Sequence, residues 1–314
     1  MVSIRIFTLG LIIVSLAALI PSSSSETDAV KLSLVGFMKK LVGPDFPTLN
    51  NNISGWDMAT DPCRNQWHGV RCDTSGSIVG IFLSGFRFSG ALDTELLCSV
   101  GSLFLLKLQN NTIRGPIPEE IVRCGNLAIL DLSDNRFVGS IPNEMGSLTN
   151  LTTLDLSGNR LSGPIPETLG DLTSLLILDL QNNQLSGSIP ESITRPTYRA
   201  SGQPLRFFRA ENNRLTGPIP EFKFELLAKF NVSNNDLSGP IPNGAAATGF
   251  FGADCFMGNP GLCGEPLPYS CQQPPVQSRV PSGSPGRTEL GLLMMMVSSI
   301  LGVSLVSFSF RFVY

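Results

Sequence analysis

Asn111, Asn135, Asn159, Asn183, Asn213 and Asn235 recur at intervals of 24, 24, 24, 30 and 22 residues, each inside the same frame. One copy reads Leu127-x-x-Leu130-x-Leu132-x-x-Asn135-x-Phe137-x-Gly139-x-Ile141-Pro142. The next reads Leu151-x-x-Leu154-x-Leu156-x-x-Asn159-x-Leu161-x-Gly163-x-Ile165-Pro166. A unit this short cannot enclose a core alone, so its leucines are buried only by stacking coil on coil. The Leu-x-Leu step alternates inward and outward, the period of a short strand with its leucines inside. The recurring Asn is expected inside as well, its amide bonded to the turning backbone of its own and the next coil. Glycine before x-Ile-Pro permits a tight turn, and proline holds φ at about −65° on the far wall. Ten of the 23 prolines fall in these six turns, so the proline content is periodic architecture and not low complexity.

This frame is similar to the leucine-rich repeat. A degenerate copy precedes the six, with Ile78, Ile81, Leu83, Phe88 and Gly90 in frame and Phe86 in the Asn place. The resemblance implies an α/β solenoid, a right-handed coil with a concave parallel β-sheet. A helical, disulfide-bonded N-terminal cap and hydrophobic terminal helices complete the expected fold. The outward strand positions are then the candidate partner-binding face: Lys107 and Gln109, Asp131 and Ser133, Asp155 and Ser157, Asp179 and Gln181, then Phe207, Arg209 and Glu211, then Lys229. Phe207 beside Arg209 is the expected anchor, because outward aromatic and arginine side chains concentrate binding energy. The column Asp131, Asp155, Asp179 is read as a solvated face rather than an acid/base array. The 30-residue step carries an insertion around residues 195–204, expected as a loop on one face.

The ends carry addresses. Residues 1–25 have a basic start, an apolar run Ile6 to Ile20 and a small polar stretch ending Ser23-Ser24-Ser25, the build of a secretory signal peptide. This almost wholly apolar run of fifteen residues is short for an uncleaved anchor. Leu290 to Phe310 is 21 residues without a charge, long enough to span a bilayer as a helix. The alternative is a removable tail for a lipid anchor, with Ser282-Gly283-Ser284 as the attachment site. The organisation expected is a leader at 1–25, an N-terminal cap at 26–77, about seven repeats at 78–250 and a C-terminal cap at 251–271. A linker at 272–289, a span or anchor signal at 290–310 and a tail at 311–314 follow.

A secreted route places the cysteines in an oxidising compartment. Cys63 and Cys72, and Cys263 and Cys271, are close enough in sequence to bridge locally. Cys98 and Cys124 share a phase on adjacent coils, which makes a coil-to-coil bridge plausible, and Cys255 is the candidate odd thiol. Sequence alone leaves the pairing of Cys98, Cys124 and Cys255 open. The sequons Asn52, Asn110, Asn150 and Asn231 are glycosylation candidates.

Trp56, Asp61-Pro62-Cys63, Trp67-x-Gly69-Val70-x-Cys72, the Leu-x-Gly-x-Ile-Pro repeats and Gly258-Asn259-Pro260-Gly261-Leu262-Cys263-Gly264 together resemble plant leucine-rich-repeat receptor kinases. The likeness is greatest to small ectodomains with about six repeats, the pollen receptor-like kinases among their relatives. The sequence ends three residues after Arg311, without that family's basic juxtamembrane stretch and kinase domain. The function implied is a non-catalytic cell-surface protein in signalling: a receptor-like protein, co-receptor or decoy, or a truncated receptor kinase, recognising an extracellular peptide or receptor ectodomain. A membrane kinase would be its signalling partner. The alternative is a secreted inhibitor of pectin-degrading enzymes, which also carries such repeats.

Other classes fit poorly. With 22 Lys+Arg against 25 Asp+Glu the chain lacks the basic excess that nucleic acid requires. Its one histidine, His68, sits within the cap motif, where packing or hydrogen bonding is its expected role. No zinc-spaced Cys/His cluster and no phosphate-binding Gly-rich loop is present, so neither metal nor cofactor is expected.

Overall fold

The computed structural model describes residues 24–43, 54–64, 67–194 and 205–271. The leader, apart from Ser24 and Ser25, lies outside the described residues, as do Asn52, the insertion at 195–204 and everything after Cys271. The chain divides into a unit ending at Cys271 and a second, Gln272–Tyr314, which holds the expected span or anchor signal. Among the described residues no helix is long and apolar enough to cross a membrane.

An opening helix, Ser24–Val42, buries Leu34, Phe37, Met38 and Leu41, the stripe that a 3.6-residue period puts on one face. Two sheets follow. The first has eight strands in the order Val70–Cys72, Ile78–Phe82, Leu105–Lys107, Ile129–Asp131, Thr153–Asp155, Ile177–Asp179, Phe207–Arg209 and Lys229–Asn231. Its first pair is antiparallel and the others are parallel. The second has seven strands, from Arg114–Gly115 through Asp236–Pro240 to Gly261–Cys263. It forms where Leu-x-Gly-x-Ile-Pro passes from coil to coil, a sheet the repeat frame alone does not announce. Leu130, Leu132, Phe137 and Ile141 of one coil, and their counterparts Leu154, Leu156, Leu161 and Ile165 in the next, fill the space between.

The asparagines form a ladder, with one correction of direction. Asn159 Nδ2 donates to the carbonyls of Leu156 and Ser157 in its own coil, at 3.1 and 3.0 Å, and to Leu132 in the preceding coil, at 3.0 Å. Its Oδ1 accepts from the N–H of Phe137, also in the preceding coil. Asn111, Asn135, Asn183, Asn213 and Asn235 repeat the pattern. Each amide therefore ties its coil to the one before, not the one after, because the inward side chain leans back under the previous turn. Asn259 adds a further rung, donating to Val232 and Phe256 and accepting from Leu237. It lies 24 residues after Asn235, so the repeat spacing continues into the closing segment.

The ends are stapled. Cys63 pairs with Cys72, Cys98 with Cys124 and Cys263 with Cys271, leaving Cys255 free. In the N-terminal cap the rings of Trp56 and Trp67 lie 5.0 Å apart, and Trp67 Nε1 donates to Thr60 Oγ1 at 2.7 Å. Gly69 has φ +81°, and a Cβ there would meet the Phe82 carbonyl oxygen at 2.2 Å, so the cap closes on the first coil only with glycine. Phe86, standing where the first coil lacks its Asn, stacks on Phe88 and takes the His68 ring edge-on at 5.2 Å.

Candidate functional site: the concave sheet

Because side chains alternate along a strand, each three-residue strand of the first sheet sends its first and third residues to the outer face. Parallel, in-register pairing then lines them up as columns. The third-position column runs Phe82, Lys107, Asp131, Asp155, Asp179, Arg209, Asn231. The first-position column runs Leu105, Ile129, Thr153, Ile177, Phe207, Lys229. Leu105, Ile129, Thr153 and Ile177 are half-buried, and Phe207 is exposed at 38 %. Phe207 is thus not an isolated aromatic but the end of an apolar stripe. Sequence reading missed the other members by starting each strand at the first leucine of Leu-x-Leu. Counting two residues back from each Asp, the strand period, would have found them.

The acidic column is not the solvated face expected. Asp131 and Asp155 are half-buried and Asp179 is 3 % exposed. Asp155 Oδ1 accepts from the N–H and Oγ of Ser157, at 3.0 and 2.6 Å, and Asp131 does the same for Ser133. These bonds fix the strand end through Oδ1 and leave Oδ2 without a hydrogen bond among the described residues. Burial pushes the Asp155 carboxyl above its ordinary value, against the Ser157 hydrogen bond, and Asp179 and Asp131 add to the rise. Burial also raises Asp179, opposed by the hydrogen bond and charge of Arg209.

Arg209 is committed to that neighbour. Its guanidinium bonds Asp179 Oδ2, so it is a clamp within the sheet rather than a free anchor beside Phe207. With the Gln181 carboxamide turned to suit its surroundings, its oxygen accepts from Arg209 Nη2 at 2.9 Å and its nitrogen donates to Glu211 Oε1 at 2.7 Å. Glu211 Oε2 has no partner, and neither does Gln109 Oε1 in the same row. Lys107 is half-buried and Lys229 exposed at the two ends of the face.

The sequons differ in setting. Asn110 is exposed in a left-handed turn, with φ +57°. Asn150 is exposed on a connecting turn, donating to the Gly125 carbonyl. Asn231 is half-buried in the last strand of the sheet, where its Oδ1 accepts from Ser233 N–H. Among the described residues no group of His, Cys, Asp or Glu has the arrangement of a metal site.

Known proteins place this geometry. A family described as leucine rich repeat matches residues 125–185, and one described as leucine rich repeat N-terminal domain matches residues 31–73. Pollen receptor-like kinase 2 of Arabidopsis thaliana is 34 % identical over 107 residues, 34 % of this chain and 15 % of that protein. The match to pollen receptor-like kinase 4 covers 14 % of that protein, so the chain spans only a small part of these curated relatives. The crystal structure of a pollen receptor kinase 3 is 30 % identical with a TM-score of 0.51, covering 70 % of this chain and 92 % of that one. The structure of PEPR1-AtPEP1 is 28 % identical with a TM-score of 0.53, covering 75 % of this chain and 34 % of that one. In sequence motif, in cap and in coil, the chain belongs to the family of plant leucine-rich-repeat receptor kinases and carries the fold of their ectodomains.

Proposed function

We propose that this protein is a non-catalytic cell-surface recognition module, a receptor-like protein, co-receptor or decoy. It binds an extracellular peptide or receptor ectodomain through the concave sheet and signals through a membrane kinase partner. The observation that carries the reading is the apolar stripe Leu105, Ile129, Ile177, Phe207, laid out by register along the first sheet and left uncovered at Phe207. Exposed aromatic and aliphatic side chains on a rigid sheet are what a partner desolvates first. Membrane attachment through residues 290–310 belongs to the same proposal.

The test is a pull-down from the source tissue with the full chain, comparing wild type with Ile177→Ala/Phe207→Ala. The double variant is expected to lose most of the partner signal. Val138→Ala, on the second sheet, is expected to retain it. Equal capture by all three proteins would overturn the concave site, and recovery of the full chain in the soluble extracellular fraction would overturn the attachment.

A further inference from the structure

We infer that the concave sheet takes a basic side chain of its partner at Asp155 and Glu211, on either side of the Asp179–Arg209 pair, with an apolar residue beside it on Ile177 and Phe207. The inference rests on the concave-face reading above and adds the chemistry of what docks there.

Three carboxylates share one cation on this part of the face. Asp155 and Asp179 stand opposite each other on neighbouring strands, about 4.8 Å apart by strand spacing. Arg209 answers Asp179, and through Gln181 it reaches the edge of Glu211. Among the described residues no ion pair reaches Asp155 or Glu211. Lys107 lies beside Asp131, further along the column, and Lys229 beside Phe207. Glu211 is the independent sign: it is 8 % exposed, and its Oε2 has no donor. A buried carboxylate oxygen without a donor is costly, so a place is set for one.

The deficit has one direction. Gln109 Oε1 and Glu211 Oε2, both without partners, are acceptors, and the carboxylates accept only. The face therefore lacks donors, and a guanidinium or ammonium supplies several at once. The first-position column runs alongside at Ile177 and Phe207, so the fitting occupant is a protein segment that sets arginine or lysine next to an apolar residue. The same desolvation that raises Asp155 makes a partner's cation more effective there than on an open surface.

The test uses three fluorescent capped peptides with the full chain at low salt: alternating Leu and Arg, the same with Gln for Arg, and the same with Glu for Arg. The Arg peptide is expected to bind at least tenfold more tightly than the Glu peptide, and to weaken as salt rises. Asp155→Asn and Glu211→Gln are each expected to weaken it several-fold. Asp171→Asn, on an exposed connecting turn, is expected to leave it unchanged. Circular dichroism melting verifies that each variant is folded, and Asn at 155 keeps the acceptor for Ser157. Failure of the Arg peptide to bind, equal binding of the Arg and Glu peptides, or no response to both acid variants would overturn the assignment. Thermal stabilisation by calcium alone would reassign the patch to a metal ion and overturn it too. Weakening by Ile177→Ala/Phe207→Ala without any response to the acid variants removes the charge assignment and leaves the concave reading standing. Weakening by the acid variants alone overturns the apolar contact at Ile177 and Phe207 and leaves the charge assignment on the concave face standing.

Discussion

Arg209 holds the carboxylate of Asp179 across two neighbouring strands, although 30 residues separate them in sequence. Asp179 is buried and Arg209 partly so, which makes the pair a fixed part of the sheet. Arg209→Ala leaves a buried carboxylate without its cation and is expected to cost about 2–3 kcal/mol at pH 7. The Asp179 carboxyl is already raised by burial, and losing Arg209 raises it further. A carboxyl with a raised folded pKa binds its proton more tightly in the folded state. The variant is therefore most stable below the unfolded value of about 4 and weakens as pH climbs through the folded value. Urea unfolding at pH 4 and pH 7 checks this, and a loss of equal size at both would contradict it.

Asn159 satisfies four backbone groups from one amide, in two coils. Asn159→Ala strands the Phe137 N–H and the Leu132 and Leu156 carbonyls in a buried position, while the Ser157 carbonyl keeps the Asp134 N–H, at a cost of about 3 kcal/mol or more. Asn159→Asp fares no better, since a carboxylate has no N–H to give. Arg160→Ala, one residue on and exposed, is expected to stay within about 0.5 kcal/mol of wild type. Equilibrium unfolding of the three variants would show the order; a silent Asn159→Ala would mean that water replaces the rung.

The two described bridges nearest the N-terminus close loops of different size. Cys98 and Cys124 are 26 residues apart, and Cys63 and Cys72 are 9 apart. Loop entropy gives about 3.5 kcal/mol for the longer and about 2.6 kcal/mol for the shorter. Replacing both cysteines of a pair by serine is expected to lower the melting temperature in both cases, more for the coil-to-coil pair. Calorimetry of the two double variants decides it. The opposite order would mean that native contacts around Trp56 and Trp67 outweigh the difference in loop closure.

The coil, its inward leucines and its asparagine rungs were legible because each is written several times at a fixed interval, and a stacked fold must repeat its solution. What escaped the sequence was mostly lateral. Which carbonyl an amide reaches depends on how far the side chain leans, so the rungs point to the preceding coil. Asp179 looked like its column mates Asp131 and Asp155, yet it meets an arginine only because the chain after residue 194 returns in register. Asn259 was hidden by its setting among the closing glycines and prolines, although its spacing from Asn235 marked it. The apolar stripe at Leu105, Ile129 and Ile177 was hidden by the leucine frame itself, which draws the eye to the inward positions.

Phe207–Arg209 pairs with Ile177–Asp179 without a slip, as Thr153–Asp155 does, although six more residues lie in that step of the repeat. Length and phase are thus uncoupled between Thr194 and Leu205. An epitope or fluorophore tag spliced there would add a handle without shifting any column of the recognition face, and a cassette exchanged at that point would vary the chain while the pairing of its flanking strands stayed the same.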